Sequence, residues 1–291
     1  PQMPFWFSLS GPSISLAFVV IMILVIPIIL VYGELTTMLP FAGGEYNFAR
    51  NAFGFTPAWI VGWFLILLYL IATAIMGPAT ARMVEAFFML QDSPKGTIVI
   101  AGIAFLFFFS ALNTFSISIA SRVQLIMVLG MVLVGIATFF WFFGSGHWSV
   151  ENLTPFFPTG IEGFAVAVGI MVAMVIGFDC IPQMAEEASY PRADMVWIML
   201  GAVFISEILF ALICFANAGM KPTGWITQQL VVSPEIARAL GGNFAAGIMN
   251  IAGLLATLTC LNGFMIAASR VVFAMGRANV LPHACSRTNR Y

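Results

Sequence analysis

Seven stretches of this chain, roughly residues 13–38, 57–80, 97–113, 122–143, 163–187, 195–219 and 244–270, are apolar over about the length a helix needs to cross a bilayer. At about 1.5 Å of rise per residue, about 20 residues cover about 30 Å of hydrocarbon, and the third stretch is the shortest of the set. Backbone N–H and C=O groups left unpaired in hydrocarbon are too costly, so a spanning chain is either helical or a closed barrel. A barrel would need apolar and polar residues to alternate, and here they do not. The pattern predicts an all-α polytopic membrane protein, a single transmembrane domain over residues 1–291.

Composition supports lipid as the solvent. Charged residues make up 8% of the chain and hydrophobic ones 61%, whereas a soluble domain carries about a quarter charged. A net charge of −1 without a basic block gives nucleic acid no electrostatic foothold. Cys180, Cys214, Cys260 and Cys285 lie far apart with no CxxC spacing, so neither a disulfide framework nor a thiolate metal site is expected. His147 and His283 have no partner at ligand spacing, so no metal, no cofactor and no enzyme are expected. The chain opens on Pro1, FWFSLSGPS is neither a signal peptide nor a full span, and the end at SRTNRY follows closely on an apolar stretch. Both ends are therefore expected to be cut from a larger membrane protein.

Basic residues set the orientation. Alternating the connections puts Arg50, Arg122, Arg192, Arg270, Arg277, Arg287 and Arg290 on one side, and Arg82, Lys95, Lys221 and Arg238 on the other. The richer side is expected to be cytoplasmic, with Pro1 outside and Tyr291 inside. On the outer side, residues 144–162 read as an interfacial loop containing an Asn-Leu-Thr glycosylation match at 152–154. Residues 233–241, SPEIARALG, read as a short surface helix with Ser233 as cap, Pro234 at the first position and Gly241 closing it.

The fifth stretch is the unusual one. It ends VIGFDCIPQMAEEASYPR over residues 175–192. Pro182 has no N–H to offer the carbonyl of Phe178, and Gly177 loosens the backbone just upstream. A break is expected between about 174 and 182, slightly past the middle of the bilayer. Broken backbone at that depth persists only where protein or a wet cavity surrounds it. The released carbonyls of Val175, Ile176 and Phe178 would then suit an ammonium or a cation, with the ionisable Asp179 inside the break. The alternative is a plain kink. Glu186 and Glu187 fall at the cytoplasmic edge and read as structural or gating carboxylates, pairing with Arg192 or a nearby loop arginine. Glu207, in FISEILF, is a second deep carboxylate. It is either a proton carrier or a neutral, hydrogen-bonded structural group. Asn262, Thr257, Thr259 and Ser269 in the last stretch read mainly as glue between helices.

Three segments together resemble the amino acid–polyamine–organocation (APC) transporters: GELTTMLPFAGGEYNFARNAFG after the first stretch, IGFDCIPQMAEEASYPR in the fifth and SRVVFAMGRANVLP at the end of the last. Tyr190 stands where that family usually has Asn. The resemblance implies a twelve-helix protein built as a five-plus-five inverted repeat, with this chain covering its second through eighth helices. It also implies substrate at the midplane between broken helices. The first of those helices, with its glycine-rich turn, would precede Pro1. Val175, Ile176 and Gly177 would offer carbonyls to the substrate's amino group, and Phe178 and Asp179 would form the gate or pocket wall. Coupling through a lysine in the fifth helix, used by some relatives, is excluded because no lysine lies between Lys95 and Lys221. Exchange, Na⁺ coupling, or H⁺ coupling through Glu207 or Asp179 stay open.

The leading expectation is thus a permease moving amino acids or related amines across a cell membrane by alternating access. The competing expectations are a non-functional fragment of such a permease, a membrane-embedded enzyme and a channel. The last two lack the residue pairs or filter-like loops they need.

Overall fold

A computed structural model describes residues 2–88, 95–115, 117–175, 177–188 and 191–287. The regular elements among these residues are all helical. In chain order they are α1 (Met3–Ser10), α2 (Ile14–Leu24), α3 (Ile26–Met38), α4 (Gly44–Phe53), α5 (Phe55–Phe88) and α6 (Lys95–Phe115). Then come α7 (Ile117–Gly144), α8 (Gly160–Met171), α9 (Cys180–Gln183), α10 (Met195–Met220), α11 (Thr223–Ile226) and α12 (Val232–Arg277), with short 3₁₀ turns between several of them.

By length and composition, Met3–Leu24, Phe55–Glu85, Ile119–Gly144, Met195–Met220 and Val232–Arg277 can each cross a membrane. Three shorter apolar helices, Ile26–Met38, Val99–Thr114 and Gly160–Met171, account for the other stretches expected to span. The first expected span is α2 and α3 joined at Val25. Its hydrogen-bond ladder continues through the joint, with Val25 N–H on the Ile21 carbonyl and Ile29 N–H on the Val25 carbonyl, both at 3.0 Å. Pro27 explains the bend, because it brings no N–H to the carbonyl four residues back. Ahead of this span lies α1, which the sequence pattern does not reveal. It is separated from α2 by a 3₁₀ turn in which the Ser10 and Ser13 hydroxyls meet at 2.6 Å.

The outer surface is greasy, as lipid contact requires. Phe107 is 74% exposed, Trp197 73% and Phe140 68%; in water such a surface would drive association. Inside, one apolar cluster joins α2, α8 and α10, and a second joins α4, α5 and α12. The interrupted fifth stretch lies between them: Val175 and Ala185 pack into the first cluster and Cys180 into the second. Helices approach closely where side chains are small. A Cβ added to Gly102 of α6 would lie 3.1 Å from the Gly77 carbonyl carbon of α5.

Two expectations about α12 meet different outcomes. Residues 232–240 do form a helical segment, closed at Gly241 and Gly242, where φ reaches +70° at Gly242, but it is not a surface helix, because Val232, Ile236 and Ala237 are buried in the first cluster. Ser233 does not cap it. Its hydroxyl donates instead to Asn217 Oδ1 of α10 at 3.2 Å, and the helix starts at Val232, two residues before the expected Pro234, without a side-chain cap.

Asn262 serves as glue. Asn113 Nδ2 of α6 donates to Asn262 Oδ1, and Asn262 Nδ2 donates to Gln124 Oε1 of α7, both at 2.8 Å. Gln124 Nε2 returns to the Thr259 carbonyl at 3.1 Å, so three helices share one amide chain. Replacing Asn262 with Ala strands the half-buried amides of Asn113 and Gln124. It should lower the thermal stability of the detergent-purified protein by about 1–2 kcal/mol, as read from denaturation midpoints.

Candidate functional site

Helix α8 stops at Met171, tightens into a 3₁₀ turn over Val172–Met174, and regular structure resumes only at Cys180. The interruption thus begins two residues before the expected 174 and ends inside the expected range. Gly177 has φ +142°, a conformation that L side chains rarely adopt, and open space lies where its Cβ would be. Ile176, expected to offer a carbonyl, lies outside the described residues.

Pro182 does not release the carbonyl of Phe178. That oxygen accepts from Ile181 N–H at 3.1 Å, and the Gly177 carbonyl accepts from Cys180 N–H at 3.1 Å. The chain adopts i,i+3 pairing beyond the break, which gives these carbonyls a donor without needing the N–H that Pro182 lacks. Each carbonyl keeps a second lone pair.

Asp179 closes the break. It is 8% exposed. Its Oδ1 accepts from the Gly177 N–H at 2.6 Å, and its Oδ2 accepts from the Tyr69 hydroxyl of α5 at 2.8 Å. One carboxylate therefore satisfies an orphaned amide of the broken segment and ties that segment to a neighbouring span. The Tyr69 ring lies 6.2 Å from Phe264 of α12, and Phe178 meets Tyr32 of α3 edge-on at 5.4 Å. Aromatic side chains from α3, α5 and α12 so surround Gly177 to Asp179.

Past α9 lies a second polar layer. Gln183, fully buried, donates from Nε2 to Glu45 Oε2 of α4, and Tyr32 also hydrogen-bonds the Glu45 carboxyl. Burial pushes that carboxyl up to about 8, further than the hydrogen bonds from its own backbone, Gln183 and Tyr32 pull it down. Glu186 accepts two bonds from Arg277 at 2.9 and 2.8 Å and one from the Ala42 N–H at 3.0 Å. Glu187 meets Arg270 Nε at 2.7 Å and its second terminal nitrogen at 2.8 Å. Both partners come from the end of α12; the side chain of Arg192, the other expected partner, lies outside the described residues. The two acids bind the segment after α9 to α12 and to the loop before α4.

Glu207 stands apart from this assembly. It is 3% exposed on α10, which packs on α2, α3 and α7, and its Oε2 has no partner among the described residues. Tyr69, Tyr32, Gln183 and Glu45 escape notice in the sequence. A clue to Tyr69 exists: a phenol deep in the apolar run ILLYLI needs a hydrogen-bond acceptor, and Asp179 is one of few deep acids able to supply it.

These features define a polytopic, all-helical integral membrane protein with one span opened near its middle and held open by a carboxylate. The amino acid permease family model matches residues 6–291, and the chain belongs to that family. It is similar to the branched-chain amino acid permease BcaP of Lactococcus lactis, 29% identical over 96% of this chain and 64% of the relative. BcaP of Bacillus subtilis is 25% identical over 96% and 63%, respectively. The chloroplastic cationic amino acid transporter 7 of Arabidopsis thaliana is 26% identical over 94% and 50%. The chain thus spans about half to just under two thirds of the length of these curated relatives.

Removing only the Tyr69 hydroxyl tests the closure of the break. Tyr69→Phe leaves Asp179 Oδ2 without its donor in a buried site, at an expected cost of about 1–3 kcal/mol. The loss should appear as a lower melting temperature and faster hydrogen exchange over residues 177–181.

Proposed function

We propose that this chain is the core of a secondary transporter that moves amino acids or related amines across a cell membrane by alternating access. The observation that carries the reading is the opened fifth span in a chain of the amino acid permease family. Gly177 takes a conformation open to glycine, and Asp179 holds the gap against α5. A five-plus-five inverted repeat would set this gap opposite a second broken helix.

Val175, Ile176 and Gly177 offer carbonyl oxygens to the substrate's ammonium group. Asp179 keeps lone pairs beyond the two donors it already holds and adds negative charge at the same place. Phe178, against Tyr32, forms the wall of the gap on that side. The Glu186–Arg277 and Glu187–Arg270 pairs close the cytoplasmic side, and they part when the segment after α9 swings away from α12. Such exposed pairs are worth about 0–1 kcal/mol each, small enough for a bound substrate to shift the balance between closed and open.

The test is uptake by the full-length protein in proteoliposomes, using labelled branched-chain amino acids, cationic amino acids and polyamines under H⁺, Na⁺ and exchange conditions. Saturable uptake of at least one class is expected, and none under any condition would overturn the reading. Asp179→Asn should lower the apparent affinity about tenfold or more while membrane insertion stays normal. Wild-type kinetics at every pH would reduce Asp179 to a structural role.

A further inference from the structure

Glu45 does not belong to the opened span, yet it is wired to it. Its carboxyl hydrogen-bonds Gln183, which lies one helical turn after Asp179, and Tyr32, whose ring packs on Phe178. Gly44, its neighbour, sits so close to α9 that an added Cβ would fall 3.1 Å from Pro182 Cβ. Glu45 therefore touches the moving segment while remaining partly open to solvent in the connection between spans.

Among the described residues, its surroundings offer no counter-cation. Helix α4 packs on α5, α9 and α12. Facing it from α3 is Tyr32, from α5 Tyr69, and from the α9 segment Asp179 and Cys180. The arginines at the end of α12, Arg270 and Arg277, are engaged by Glu187 and Glu186. Among the described residues no Lys or Arg pairs with Glu45, while Gln183 Oε1 is buried without a partner.

We propose that Glu45 is the proton-binding residue of this transporter, taking up one H⁺ while the site faces one side of the membrane and releasing it after the site has turned to the other. The proposal rests on the transporter reading above. Gln183 reads the two states of the acid. Facing a carboxylate, its Nε2 donates. Facing a carboxylic acid, the amide turns and its unpaired Oε1 accepts the acid's O–H, a rearrangement within the donor and acceptor inventory of an amide. The proton leaves to or arrives from water, and no other atom changes partner covalently. Because Gln183 and Asp179 share one turn of chain, that switch is transmitted to the opened span.

The carboxyl's elevation to about 8 from the ordinary 4.5 is consistent with titration at cellular pH. Its sign also matters for stability. The folded state binds the proton more tightly than the unfolded chain, so the stabilisation from protonated Glu45 is full below about 4.5 and is lost as pH rises through about 8.

Proteoliposomes of the full-length protein separate the claims. Wild-type counterflow without a gradient tests the transporter reading, and its absence for every substrate in the panel would sink that reading. Where counterflow exists, an inside-alkaline gradient should drive accumulation. In Glu45→Gln, gradient-driven accumulation should fall at least tenfold relative to the variant's own counterflow rate. Glu45→Asp should recover part of it, with the pH profile displaced. Should Glu45→Gln fail to fold, the Glu45→Asp pH profile decides, and a profile identical to wild type overturns the proposal. Equal gradient-driven accumulation in wild type and Glu45→Gln, or counterflow in wild type with no response to the gradient, also overturns it.

Discussion

Hydrocarbon offers no partner to an unpaired amide, and that constraint governs this molecule. A span interrupted over residues 172–179 survives because Asp179 accepts from the Gly177 N–H and the Tyr69 hydroxyl. The carboxylate thereby does two jobs at once. It satisfies backbone that the broken helix has orphaned, and it fastens that backbone to α5. Without such a group, the low dielectric that makes hydrogen bonds strong here would make the exposed polar groups prohibitively costly.

The rest of the assembly follows from how the segment after the break is held. On one flank, Glu186 and Glu187 join it to the end of α12. On the other, Gln183 joins it to Glu45 of α4, and Gly43 N–H reaches the Gln183 carbonyl at 3.4 Å. Each hold is polar and individually weak, whereas the two apolar clusters on either side are extensive. A short segment with polar fastenings between two firm bodies can shift without unpacking either of them. That division suits the alternating access proposed for this chain.

Hydropathy made the spans legible, because about 20 apolar residues have few other uses. The position of the break was legible too, through Gly177, Pro182 and the misplaced Asp179. What holds the break was not. Tyr69 lies 110 residues before Asp179, and Arg277 lies 91 residues after Glu186, so local pattern could not pair them. The carbonyl of Phe178 went astray for a different reason. Counting four residues back from Pro182 assumes α-helical pairing, and the chain used i,i+3 pairing instead. Helix α1 was missed because its eight residues are too few to register as a span. Asn262 was readable as glue in kind, but its partners on α6 and α7 required the fold.

The most direct test of the central claim is equilibrium binding of a transported amino acid to the purified full-length protein and its Gly177→Ala variant. An added methyl meets open space at Gly177, so any effect arises from the backbone at φ +142° and not from a clash. If the opened span forms the substrate site, Gly177→Ala should weaken binding at least tenfold while the protein stays folded and monodisperse. Unchanged affinity would contradict the assignment of the substrate site to the break.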